Sequence, residues 1–173
     1  MAYRIFVPLL FISILGPTTA GWANTGLCAS RERAVFSCET DKGVVSICED
    51  GVKLHYRFGK PGNVEMSYPA DDDTASPAFN ADTLTFSGGG GAYVTFIRKG
   101  LRYTIFRASG RWGQHDETTL VGGVAVARGD KEVTNLACHG GTLSSLGPSL
   151  FRRDGLHAET PPYDFEIPDG FFP

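Results

Sequence analysis

Lys53-Leu54-His55-Tyr56-Arg57-Phe58-Gly59-Lys60-Pro61-Gly62-Asn63-Val64-Glu65-Met66-Ser67-Tyr68 is the stretch that decides the fold class. Leu54, Tyr56 and Phe58 alternate with Lys53, His55 and Arg57, and Val64, Met66 and Tyr68 alternate with Asn63, Glu65 and Ser67. Successive side chains of an extended strand point to opposite faces, so a period of two marks a strand with one apolar face. Gly59-Lys60-Pro61-Gly62 supplies turn residues between the two runs. The stretch therefore predicts a hairpin of two half-buried antiparallel strands.

The same pattern extends in both directions. Upstream, Ala34 to Cys38 and Val44 to Cys48 flank Thr40-Asp41-Lys42-Gly43, a turn with glycine where φ must be positive. Downstream, strands are predicted over Thr83 to Ser87, Tyr93 to Arg98, Arg102 to Arg107, Val121 to Arg128 and Glu132 to Cys138, the last two joined by a turn at Gly129-Asp130. No amphipathic helix of ordinary length is present, and Leu143 to Leu156 has room for one or two helical turns. The expected fold is all-β, a small antiparallel barrel or sandwich of about eight or nine strands. Tyr163, Phe165 and Ile167 alternate within the tail Pro161 to Pro168, which is read as a strap with these three side chains inward. Pro69 to Asp82, with Asp71-Asp72-Asp73, lacks the alternating carboxylates of a calcium loop and reads as a solvated connection; no metal site is expected.

The chain opens with one cation, Arg4, and an apolar run from Ile5 to Leu15, broken by Gly16-Pro17 and followed by small residues up to Ala20 and Ala23. This is the pattern of a secretory signal peptide, assigned to residues 1–23 with cleavage after Ala20 or Ala23. The run is about half the ~20 residues that a membrane span needs. Leu27 before Cys28 is too large for a lipidation site, so the product is expected in the periplasm or the medium, without a membrane anchor. Residues 24–138 form the expected β domain and residues 139–173 an extension packing on it. Loss of Arg4 with the signal takes the formal net charge from −3 to −4, with no basic patch, which argues against nucleic acid as a partner.

Four cysteines, Cys28, Cys38, Cys48 and Cys138, remain in the exported part and allow three disulfide connectivities. If Thr40 pairs with Gly43, Cys38 faces Val45 and Cys48 points to the other face, so these two are poorly placed to bond. The expected pairs are Cys28 with Cys48 and Cys38 with Cys138, provided that no bulge at Gly43 shifts the register.

The most unusual local feature is Phe86-Ser87-Gly88-Gly89-Gly90-Gly91-Ala92-Tyr93, read as a glycine-rich loop between two strands. It lacks the lysine of a phosphate loop and leads into a strand where a dinucleotide motif needs a helix, so no cofactor is expected. The order of parts, from Val35-Phe36-Ser37-Cys38 through Ser87-Gly88 and Tyr93 to Arg98-Lys99-Gly100 and a last hairpin ending in Cys138, resembles the bacterial c-type lysozyme inhibitors of the MliC/PliC family. The Tyr56-Arg57-Phe58-Gly59 segment resembles more closely a set of small exported bacterial proteins, a likeness that implies no activity. The inhibitor resemblance implies an antiparallel barrel and a partner-binding set of Ser87, Gly88, Tyr93, Lys99 and Gly100, with serine and lysine entering a lysozyme cleft. There, Lys99 and Ser87 would bond the two carboxyl groups of a lysozyme-like glycosidase. An acidic body favours encounter with a basic enzyme.

Catalysis is not expected. His55, His115, His139 and His157 are scattered, with neither metal-ligand spacing nor a nucleophile elbow, and Glu65, Asp116 and Glu117 offer carboxylates without convergence. The alternative to an inhibitor is an envelope interaction or structural module that uses exposed aromatics such as Tyr103 and Trp112.

Overall fold

A computed structural model describes residues 26–70, 78–113 and 117–172. The signal-peptide reading, Asp71 to Asp73, His115 and Asp116 lie outside the described residues. The chain folds into two antiparallel sheets of five strands each. The first comprises β1 (Arg33–Thr40), β2 (Gly43–Asp50), β3 (Lys53–Lys60), β4 (Asn63–Tyr68) and β10 (His139–Ser144), in the order β10-β1-β2-β3-β4. The second is a meander of β5 (Asn80–Phe86), β6 (Gly89–Arg98), β7 (Leu101–Arg111), β8 (Thr118–Arg128) and β9 (Lys131–Ala137). All nine predicted strands are present. The tenth, β10, belongs to the segment expected to be an extension; it completes the first sheet by pairing with β1.

The sheets pack face to face on the residues that the period of two placed inward. Val35, Phe36, Val45, Ile47 and Tyr56 from the first meet Val94, Phe96, Ile105, Val124 and Val126 from the second. Phe96 stacks between Tyr68 and Tyr103, at centroid distances of 4.2 and 4.8 Å. Tyr103, expected as an exposed aromatic, is thus packed against the core because its strand register sets it opposite Phe96. One end of the core receives the short helix α1 (Pro148–Asp154), which buries Leu150 and Phe151 and ends at Gly155 in the left-handed conformation. The helix is tied to β2 through Glu49, whose carboxylate binds both Arg153 and Arg33. Burial opposes the charge of Glu49, but hydrogen bonds with Asp154, Arg153 and Arg33 outweigh it and hold its carboxyl below the usual range.

Two disulfides join Cys28 to Cys48 and Cys38 to Cys138, the expected pairing. Thr40 pairs with Gly43 and Cys38 faces Val45; the bulge in this hairpin falls between Ala34 and Phe36, away from the turn. Cys48 lies on the outer face of the first sheet, where the segment after Gly26 is held by its bond to Cys28, by Leu27 N–H donating to Ser46 Oγ (2.9 Å) and by Glu32 paired with Arg57. Cys138 sits where the chain passes from β9 to β10 and so from one sheet to the other. Two disulfides fit an oxidising compartment, and no helix of the described residues is long and apolar enough to cross a membrane.

The bonds span 20 and 100 residues, and a crosslink closing the longer loop removes more entropy from the unfolded chain. Replacing Cys38 and Cys138 together by alanine is expected to lower the unfolding free energy by about 4–5 kcal/mol, against about 3 kcal/mol for the Cys28 and Cys48 pair. Urea unfolding of the two double variants measures the difference.

Candidate functional site

The second sheet is apolar on its outer face as well as its inner one. Tyr93, Phe106, Ala108, Val121 and Ala125 point away from the first sheet and are covered by Phe165 and Phe171, with Tyr163, Ile167 and Phe172 beside them. The alternating tail is therefore a strap, as its pattern predicts. Phe165 lies 5.3 Å from the ring centroids of both Tyr93 and Phe106, and Phe171 lies edge-on to Phe106 at 4.8 Å. Polar bonds fix the strap's path: Tyr93 O–H donates to the Tyr163 carbonyl (2.9 Å), Thr95 Oγ1 donates to Glu159 (2.9 Å) and Arg102 pairs with Glu159. The Arg102 guanidinium sits 4.0 Å above the Tyr163 ring, a favourable placement of a cation on an aromatic face.

Between the strap and β5 runs a groove of about 930 Å³. One wall is the length of β5 from Asp82 to Phe86 with Ser87 beyond it, and the other is Pro162 to Ile167. Trp112 closes one side, packed on Phe86 at 5.1 Å and on Phe172 at 5.0 Å. Gly110 allows this, because a Cβ there would lie 2.6 Å from the folded-back indole. Among the described residues, Asp82, Asp164 and Glu166 are the charged members of the lining, with neither lysine nor arginine. The groove is thus an acidic, aromatic trough open along one strand.

The predicted partner-binding residues are divided by this geometry. Ser87 is exposed at the groove and Gly88 follows it in a two-residue turn at φ +81°. Tyr93 lines the groove wall but is buried, its hydroxyl committed to the strap. Lys99 and Gly100, at φ +51° and +74°, form the turn at the opposite end of β6. Ten residues of strand separate the two turns, about 30 Å. The five residues do not form one surface.

The glycine-rich loop is likewise corrected. Only Ser87 and Gly88 turn; Gly89, Gly90 and Gly91 lie in β6, paired with Phe86, Thr85 and Leu84 on one side, and Gly90 and Gly91 with Ser109 and Ala108 on the other. A Cβ at Gly91 would lie 2.8 Å from Ala108, so these glycines let three strands approach closely. Asp82, Asp164, Glu166 and Phe172 were not singled out in the sequence. The signal for two of them was present, since a strap with Tyr163, Phe165 and Ile167 inward must direct Asp164 and Glu166 outward.

Other candidate chemistry is dispersed. His55 lies on β3, His139 on β10 beside Asp41 (3.0 Å), and His157 beyond α1. Glu65 on β4 of the first sheet and Glu117 just before β8 of the second are both exposed. Glu32 approaches the sulfurs of Cys28 and Cys48, but these are bonded to each other and the Arg57 guanidinium beside Glu32 holds its carboxyl below the usual range. Comparison with protein-family models, curated proteins and solved structures found no match to this chain.

Burial, with Asp82 and Glu159 nearby, pushes the Tyr93 hydroxyl up to about 12. An unfolded tyrosine ionises near pH ~10, so this group's contribution to stability is intact below that and is lost as pH rises through the folded value. Tyr93→Phe is expected to cost about 1 kcal/mol at neutral pH through the lost bond to Tyr163, and to flatten the decline in stability between pH ~10 and ~12. Urea unfolding across that range measures both effects.

Proposed function

We propose that the chain is an exported, non-catalytic binding protein whose partner seats in the groove between β5 and the C-terminal strap. The observation that carries this reading is the lining itself: among its described residues, three carboxylates and no cation beside aromatic side chains. Such a trough, on a body of acidic net charge, −3 for the full chain and −4 without Arg4, attracts a basic partner and offers it apolar contact after encounter. A lysozyme-type cell-wall lytic enzyme is the basic envelope partner that the inhibitor resemblance nominates. In this reading the contact is made by the Ser87 end of β6 alone, since Lys99 is a strand's length away.

The exported protein is expected to slow lysis of a peptidoglycan suspension by c-type lysozyme. Asp164→Asn with Glu166→Gln should weaken inhibition roughly tenfold, the loss of about 1.4 kcal/mol of charge-assisted contact. Ser87→Ala should weaken it less, and Lys99→Ala should leave it unchanged. Inhibition lost with Lys99 and kept without the acidic pair would place the contact at the wrong end of β6 and overturn the assignment. Sedimentation with insoluble peptidoglycan distinguishes the alternative, a module that binds the envelope polymer itself through the same aromatics.

A further inference from the structure

The groove follows a sheet edge, and the edge has unused hydrogen-bonding capacity. Among the described residues, strand β5 is paired with a strand, β6, on one side only. In an antiparallel pair the backbone groups of alternate residues face the neighbour, and those between face away. Ala81 fixes the parity: its N–H reaches outward to the His157 carbonyl at 2.9 Å. By the two-residue repeat Thr83 and Thr85 also face outward, along the wall that the groove follows. The Thr83 N–H is met at 2.7 Å by the Asp82 carboxylate next to it in sequence, a local substitute for a strand partner.

Resting on the groove assignment above, we propose that the occupant binds by strand addition: an extended, basic peptide segment of a partner protein pairs its backbone with Thr83 and Thr85. Three features select this occupant. The wall is a strand edge with outward amides and carbonyls, which recognises main chain in extended form. Leu84 and Phe86 belong to the strap side of β5 with Trp112, so the added strand places every second side chain against an apolar floor. The charged side chains among the described lining residues are acidic, so lysine or arginine at those same alternate positions meets Asp82, Asp164 or Glu166. When a ligand carbonyl takes the Thr83 N–H, Asp82 is released to pair with a ligand cation.

The test uses the protein from residue 24 onward, in which Trp112 is the single tryptophan and places the reporter in the groove. The probe is the acetylated, amidated peptide Lys-Thr-Leu-Thr-Lys-Thr, followed by Trp112 fluorescence. Two analogues carry methyl groups on one or the other alternate set of backbone nitrogens, and a further analogue replaces lysine by glutamate. Strand addition predicts saturable binding of the parent, loss of roughly tenfold or more in affinity for only one of the methylated analogues, and no binding of the glutamate peptide. Thr85→Pro should reproduce the loss while leaving the ladder to β6 intact, because the deleted N–H faces away from it. If both methylated analogues bind like the parent, the groove reading stands and strand addition is overturned. If no peptide binds and the acidic-pair variant leaves lysozyme inhibition unaltered, the groove reading fails with it.

Discussion

Strands β6, β7 and β8 carry apolar side chains on both faces: Val94, Phe96, Ile105, Val124 and Val126 toward the first sheet, and Tyr93, Phe106, Ala108, Val121 and Ala125 away from it. Leaving a phenylalanine such as Phe106 in water forfeits about 1.5–3 kcal/mol relative to burying it. The outer face of the second sheet therefore needs a cover, and the tail beyond α1 supplies it. Small residues in the sheet permit the close fit; a Cβ on Gly123 would lie 2.7 Å from the Phe171 ring. The first sheet differs. Its outer face holds Ser37, Ser46 and Arg57, and the chain's early segment is fastened there by one disulfide, a serine hydroxyl and the Glu32–Arg57 pair rather than by an apolar layer.

This asymmetry explains what could be read from the chain. Half-buried strands alternate, and β3 with β4 declared themselves through Leu54, Tyr56 and Phe58 against Lys53, His55 and Arg57. Register followed from the Thr40 to Gly43 turn, and with it the facing of Cys38 and Cys48. In β6 the run from Ala92 to Phe96 is buried without a break, the mark of a strand covered on both faces. Tyr93, expected among the contact residues, accordingly lies buried in the groove wall with its hydroxyl bonded to the strap. β10 escaped notice because Gly140, Gly141 and Thr142 bring few apolar side chains, and its pairing with β1 is a long-range event that local periodicity does not report.

The glycine run illustrates a different limit. Four glycines in a row are equally compatible with a loose loop and with strands pressed together, since what distinguishes them is the neighbour and not the residue. Here the neighbours are Ser109 and Ala108 on β7 and Leu84 and Thr85 on β5. Close approach of these strands keeps the Ser87-Gly88 turn short and brings Phe86 against Trp112. The acidic half of the site was legible only as a by-product: Asp164 and Glu166 alternate with the strap's inward residues, but nothing local says that they will face β5.

The position of the groove follows from how the strap reaches its sheet. Coming from α1, the chain must cross the edge at β5 before it can lie on the outer face. It bonds that edge once, at Ala81, and then turns inward, where Glu159 meets Thr95 and Arg102. The remainder of β5 is left alongside the strap instead of beneath it. Because Phe165 and Phe171 are anchored in the apolar layer, the second wall is held by core packing rather than by a free loop. A trough built this way has rigid sides before any ligand arrives, so little ordering cost falls on the partner's contacts. The need to cover Tyr93 and Phe106 thus places an acidic wall opposite an open strand edge.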